Sequence, residues 1–314
     1  KGHSVFQLVF DKTPFYAQGG GQVGDIGILE SFEKEKISIS NTIKENDTVI
    51  HIVDILPQNL NSSFNLMVDN KSRLSSSSNH TATHLLHEAL RFVLGTHVQQ
   101  KGSMVSDKYL RFDFSHFSKL SEQEIDQIQV FVNQKIIDQL PIEENRSAIY
   151  KDCIDQGVIA LFGEKYGESV RLVKFGNSHE LCGGTHVSNT SQIRAFIITS
   201  ESAISTGIRR IEAISGSEAI SFLINQSKTL KKVNSLLSND KDPLEAINKI
   251  KNQSIAVHKK LEKTNNELSS FYIKELKLKA ELVEGVNFCK YELSCEPSLL
   301  KNLAFNTGKE IDDL

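Results

Sequence analysis

Asn79-His80-Thr81-Ala82-Thr83-His84-Leu85-Leu86-His87-Glu88-Ala89-Leu90-Arg91-Phe92-Val93 is the stretch from which the rest of the chain can be placed. Ala82, Leu85, Leu86, Ala89, Leu90 and Val93 recur at helical spacing, and Gly95 is the natural stop. The serines at 75–78 read as a linker leading into that helix. His80 and His84 stand at i and i+4, so both project from one face.

A second cluster lies about a hundred residues on, Cys182-Gly183-Gly184-Thr185-His186. Two glycines behind Cys182 let the backbone turn tightly, so thiolate and imidazole can converge on one ion. The two clusters form a Cys-His₃ set, which suits Zn²⁺ better than a hard cation. Either cluster alone is weak evidence. Paired histidines occur by chance on many helices, and a buried cysteine is commonly a small hydrophobe. Thr81 stands where a zinc protease carries its general-base Glu, so peptidase chemistry loses support. His87 and His97 lie nearby; His87, at i+3 from His84, reads as a satisfied structural histidine ahead of an outer partner or rival ligand.

Two further stretches stay open on spacing alone. Residues 19–21 are a glycine cluster, which is either a tight turn or a place where backbone amides meet a ligand; it lacks the phosphate-loop pattern. Arg209-Arg210 forms surface ion pairs or grips a phosphate or substrate.

The pattern as a whole predicts an α+β (mixed α/β) chain. Residues 1–73 are mostly β, with runs at 5–10, 49–53 and 65–68, fitting a small N-terminal β-barrel or meander. Residues 74–225 alternate helix and strand: a strand at 109–114, a helix at 121–140 with a Ser121/Glu124 capping box, and strands near 158–162, 170–175 and 193–199. From residue 226 to 285 a long helix is expected. Ile247, Ile250, Ser254, Val257, Leu261, Thr264, Leu268, Phe271, Leu278 and Leu282 fall on heptad positions, with Glu275 the exception. Pro243 starts this helix, Gly285 ends it, and residues 218–237 form its hairpin partner. Residues 286–314 read as the opening strand and helix of a truncated globular domain.

Composition is ordinary: 314 residues, 39% hydrophobic, 24% charged, net charge −3. Residues 226–284 hold 12 Lys against 8 acidic residues, so that segment is +4 and the remainder −7. Any RNA contact must therefore come from local patches. Four cysteines are too few for a disulfide scaffold and imply a reduced, cytoplasmic setting. No apolar run approaches the ~20 residues of a membrane-spanning helix. The chain begins at Lys1 without Met, and its expected status is a fragment.

Taken in order, Lys12-Thr13-Pro14-Phe15-Tyr16-Ala17, Gly20-Gly21-Gln22-Val23-Gly24-Asp25, the run from Asn79 to His87, Leu94-Gly95-Thr96-His97-Val98, Gln100-Lys101-Gly102-Ser103, Leu161-Phe162-Gly163-Glu164-Lys165-Tyr166, Glu180-Leu181-Cys182-Gly183-Gly184-Thr185-His186 and Arg209-Arg210-Ile211-Glu212-Ala213 closely resemble the editing region of the alanyl-tRNA synthetases. The resemblance covers about residues 1–225; the heptad helix resembles their C-terminal region more weakly. It implies an α/β editing core of the threonyl- and alanyl-tRNA synthetase type, within a parent ATP-using ligase of protein biosynthesis. It implies hydrolysis of Ser-tRNA(Ala) and Gly-tRNA(Ala), since an alanine pocket excludes glycine not at all and serine only weakly. By motif, His80, His84, Cys182 and His186 become the zinc ligands, Gln100, Thr83 and Arg209 pocket residues, and the glycine-rich Gly19–Gln22 stretch a neighbour packed beside the site. The expected partner is the acceptor end of tRNA(Ala), with homodimerisation through the C-terminal region. The alternatives are a freestanding editing protein and a non-catalytic, zinc-stabilised tRNA-binding module. Four protein ligands leave a zinc closed, whereas hydrolysis at a metal needs an open position.

Overall fold

Period-two alternation in the first seventy residues folds as one antiparallel sheet. The structure is a computed structural model that describes residues 5–160, 166–237, 242–295 and 297–310. The chain divides into two compact units, Lys1–Gln226 and Ser227–Leu314. In the first unit β1 (Phe6–Leu8), β2 (Gly27–Ser31), β3 (Lys36–Glu45), β4 (Thr48–Val53) and β5 (Phe64–Val68) lie in the order β1-β4-β3-β2-β5. On β3, Ile37, Ile39 and Thr42 are buried while Lys36, Ser38 and Ser40 are exposed, the alternation of a sheet with one wet face. The inner face packs Phe15, Leu29, Ile37, Ile39 and Val53.

The expected barrel does not close. Among the described residues β1 bonds only to β4 and β5 only to β2, so the edges stay unjoined. A closed barrel needs backbone pairing between its first and last strands, and β1 offers three residues for it. The edges approach through side chains instead: the rings of Phe10 and Phe64 meet edge to face at 5.8 Å.

Helix α1 (Asn70–Leu94) leaves directly from this sheet. Asp69 caps it, accepting from Lys71 N and Ser72 N at 3.0 Å, and Gly95 ends it at φ 112°. The serines at 75–78 are thus not a linker. They lie inside α1, and Ser76, Ser77 and Ser78 are buried. Small side chains there let the helix approach its neighbours closely.

Behind α1 stands a four-stranded antiparallel sheet of β11 (Phe196–Ser205), β12 (Ile208–Ser215), β7 (Leu110–Ser115) and β6 (Gln100–Val105), in that order. Helix α2 (Glu122–Ile137) packs on α1, and its capping box forms as expected, with Ser121 and Glu124 bonding reciprocally. Ala82, Leu85, Leu86, Ala89 and Leu90 of α1 meet Leu110, Phe112 and Phe114 of β7 in the main core. Each such buried Leu or Phe contributes about 1.5–3 kcal/mol of transfer free energy.

A third sheet, β10 (Ser178–Leu181), β9 (Ser169–Phe175) and β8 (Glu143–Ile149), carries α3 (Tyr150–Asp155) after β8. The strand expected at 158–162 is represented by a bridge of Ile159 to Glu180. Residues 161–165, which open the Leu161–Tyr166 motif, lie outside the described residues.

α4 (Gly216–Leu236) runs across the boundary between the units. In the second unit α5 (Pro243–Lys279) is capped by Asp242. It ends at Lys279 rather than at Gly285. Residues after it turn into a hairpin, β13 (Glu281–Val283) and β14 (Val286–Phe288), so Leu282 is a strand residue. Glu284 and Gly285 both have positive φ, as a two-residue hairpin turn requires, and Gly285 serves that turn instead of a helix cap. α6 (Pro297–Glu310) packs through Leu299 and Leu303 on Ile273 of α5. Ile247, Ile250, Val257, Leu261 and Phe271 are exposed along α5. No helix among the described residues is long and apolar enough to cross a membrane.

Candidate metal centre

Two elements bring the donor clusters together. α1 presents His80 and His84, and Asn79 fastens that turn by donating to Ser106 O at 2.8 Å and accepting from Ser215 Oγ at 2.7 Å. Strand β10 delivers the second cluster: its last residue, Leu181, donates to Ile159 O at 2.9 Å, and the chain then turns through Cys182, Gly183 and Gly184 to His186.

One donor atom from each of His80, His84, Cys182 and His186 lies within 4.8 Å of the others. Cys182 Sγ is 3.3 Å from His80 Nε2 and 3.3 Å from His186 Nε2. Gly184 N also donates toward Sγ at 3.3 Å. The three imidazole centroids are 4.4 to 5.2 Å apart. Gly184 has no room for a side chain, because a Cβ would stand 2.0 Å from His80 Cε1.

Burial holds His80 and His186 well below the usual imidazole range, reinforced by the neighbouring histidines and by Arg171. Burial also lowers His84, against the opposing pull of Glu180. Neutral imidazoles beside a cysteine sulfur are the form a metal takes up. His84 Nδ1 is buried without a hydrogen-bond partner, a cost that coordination would relieve. The donor set therefore fits Zn²⁺.

The outer nitrogens of two of these ligands have hydrogen-bond partners. His80 Nδ1 is 2.7 Å from Gln22 Oε1, and His186 Nδ1 is 3.1 Å from Thr81 Oγ1. Glu180, two residues before Cys182, places its carboxylate 3.6 Å from His84 Nε2 and 3.1 Å from His87 Nδ1. Although burial acts to raise it, His84 and His87 hold the Glu180 carboxyl below its ordinary range. Such outer partners orient metal-ligating histidines. Sequence reading set the Gly19–Gln22 stretch beside the site without giving Gln22 a role, and it missed Glu180. Their signal was adjacency, to the glycine cluster and to Cys182, and it carried no chemistry until the fold was known.

A cavity of about 220 Å³ opens onto the donors. Thr83 and Gln100 line it, with Gly19 and Gly20, Lys44 and Glu180. Thr83 Oγ1 donates to Asn79 O at 2.8 Å, so its lone pairs remain as acceptors. Gln100 Nε2 donates to Ser103 Oγ at 3.2 Å. Arg209 is not brought to this wall. It lies on β12, ion-paired with Glu201, and is separated from Gln100 by Phe114 in the same cross-strand row. Arg210 pairs with Asp113 through two bonds of 2.6 and 2.7 Å. His97 Nε2 lies 3.0 Å from His116 Nδ1 on the exposed end of the sheet.

Comparison with known proteins finds relatives along the chain. Residues 170–212 match the threonyl and alanyl tRNA synthetase second additional domain, and residues 1–72 match the class II (A) tRNA synthetases. The alanine–tRNA ligase of Christiangramia forsetii is 48% identical over 310 residues, 99% of this chain and 36% of that protein. Those of Flavobacterium psychrophilum and Cytophaga hutchinsonii are each 43% identical, over 95% and 100% of this chain. The chain spans about a third of the length of these curated relatives, 35% to 36%.

Proposed function

The chain is homologous over nearly its whole length to a segment of the alanine–tRNA ligases, and from that premise we propose that it is their editing hydrolase, cleaving the ester of Ser-tRNA(Ala) and Gly-tRNA(Ala). The observation that carries this reading is the meeting of His80, His84, Cys182 and His186 beside a cavity that also exposes Thr83 and Gln100.

His80, His84, Cys182 and His186 would hold zinc, which when bound supplies Lewis-acid polarisation. The chain's own groups do the rest. Thr83 Oγ1 offers an acceptor that a seryl hydroxyl can reach. Gln100, anchored through Ser103, orients the ester or the attacking water by hydrogen bonding, since an amide is no base. Lys44, at the cavity wall, suits the phosphate of a terminal nucleotide. Arg209 contributes indirectly, fixing the strand beside Phe114 through Glu201. The editing region comprises a β-rich part, residues 1–73, and the zinc core, 74–225. Beyond them the long helix α5, with Ile247, Ile250, Val257, Leu261 and Phe271 exposed along it, supports homodimerisation. The parent ligase works in the cytoplasm.

Four protein donors are also the closed arrangement of a structural zinc, which favours a second reading as a non-catalytic tRNA-binding module. A deacylation assay separates the two. The chain should release serine from Ser-tRNA(Ala), and Cys182→Ala should abolish release while its circular dichroism stays native. Undiminished turnover by Cys182→Ala would sink the metal-site assignment, and no turnover by the folded, zinc-loaded chain would favour the module.

A further inference from the structure

Gln22 belongs to the glycine cluster, and the proposed chemistry leaves it without a task. Its side chain is 1% exposed. The turn before it is closed by paired backbone bonds between Gly19 and Gln22, at 2.9 and 3.1 Å. Gly20 and Gly21 take φ of 53° and 80°, the turn in which both central residues need positive φ. Bonds from Val105 N to Gly21 O and from Val23 N to Val105 O then fix the turn against β6. The Gln22 side chain is thereby aimed at a set place.

What it meets there identifies its role. Thr185 N, a donor only, lies 2.9 Å from one end of the amide, so that end is Oε1. The other end, Nε2, donates to Thr185 Oγ1 at 2.8 Å, and Ser77 Oγ donates to the same hydroxyl at 2.8 Å. His80 Nδ1 lies 2.7 Å from Oε1. An amide oxygen only accepts, so Nδ1 carries the proton. Neutral His80 then has its lone pair on Nε2, the atom 3.3 Å from Cys182 Sγ.

We infer that Gln22 is a positioning residue that fixes the Nδ1–H tautomer and ring direction of His80, and thereby ties the glycine turn to both halves of the donor cluster. One amide spans the turn that walls the cavity, a ligand on α1 and the loop that carries Cys182 and His186. A shift of the turn against a bound acceptor end would be felt at His80 Nε2.

The test uses the whole chain in two states. Without metal, two-bond ¹H–¹⁵N spectra should show His80 protonated at Nδ1 in the wild type and in Gln22→Glu, which keeps the acceptor. Gln22→Met, similar in size but without an acceptor, should show mixed tautomers. With cobalt(II) as the probe, Gln22→Met should bind on the order of ten- to a hundredfold more weakly, the range for lost outer partners of ligating histidines. Gln22→Glu should bind close to wild type. His80 protonated at Nε2 in the wild-type chain overturns the assignment without any variant. So does Gln22→Glu binding as weakly as Gln22→Met, which would shift the role to the donation toward Thr185. The cobalt arm rests on the metal-centre reading and the tautomer arm does not. A wild type that ignores cobalt but keeps Nδ1–H therefore removes the metal and leaves the orientation of His80 intact.

Discussion

Arg171 Nη1 donates to the carbonyl oxygen of Cys182 at 3.0 Å. The same nitrogen bonds Gly184 O at 2.5 Å, while Nη2 reaches Glu144 Oε2 at 2.9 Å. The fork thus clamps both ends of the turn that holds the Cys182 sulfur. Arg171→Met should loosen this turn and cost about 1–3 kcal/mol of stability, the penalty for carbonyls and a carboxylate left without a charged donor. Zinc transfer to a competing chelator should become correspondingly easier. Arg171→Lys should recover part of the effect, because an ammonium keeps the charge without the fork. A thermal melt and chelator titration equal to wild type for Arg171→Met would show that the clamp is idle.

Gly184→Ala puts a methyl group 2.0 Å from His80 Cε1 and 2.9 Å from Gln22 Oε1. The His80 ring must swing away, and a misplacement of that size costs on the order of a hundredfold in rate. Single-turnover deacylation of Ser-tRNA(Ala) should fall by at least that factor, with a changed cobalt spectrum. Gly183→Ala meets nothing within 4 Å and serves as the control expected to retain activity.

Metal-free protein should lose stability as pH falls. His80, His84 and His186 are held below their ordinary value of 6.5 in the folded chain. The unfolded chain therefore binds more protons below about pH 6.5, and stability drops from there downward until the folded histidines also titrate. Above that window these groups contribute no slope. Urea midpoints taken at pH 8, 7, 6 and 5 check this, and a flat series would contradict it. Zinc should steepen the acid side, since protons compete for the same nitrogens.

Phe112 is fully buried on β7, with His87 against its ring at 5.2 Å. Phe112→Ala should destabilise the editing region by about 3–5 kcal/mol through lost transfer energy and a residual cavity. Chemical denaturation measures this directly. A loss under about 1 kcal/mol would mean the core collapses around the gap.

Local pattern was legible where one period dominated. The helix over His80–Val93 was readable because its apolar residues all face the β7 core, and Ser121/Glu124 because a capping box is a local contact. The serines of α1 misled because four small polar residues resemble a linker. Their burial is set by elements far away in sequence, such as Thr185 against Ser77. β3 escaped notice although Ile37 and Ile39 alternate with Lys36 and Ser38, because its outward face is wholly polar and the period spans few residues. The end of α5 was misplaced because Gly285 signals a hairpin turn as readily as a helix cap, and heptad spacing cannot distinguish them. Lack of barrel closure was not legible either, since edge pairing depends on strand length and curvature rather than on alternation.

The sequence by itself determined the donor chemistry of this protein. Residue types set what can ligate a soft cation, and i,i+4 spacing set the local geometry of the helical cluster. Only the tertiary structure decided that the clusters meet, that Gln22 bonds the outer nitrogen of His80, that Glu180 stands beside His84 and His87, and that Arg209 pairs with Glu201. The physical reason is that a buried polar group must find a partner, and which partner lies within 3 Å is fixed by packing between distant segments, of which no local period carries a trace.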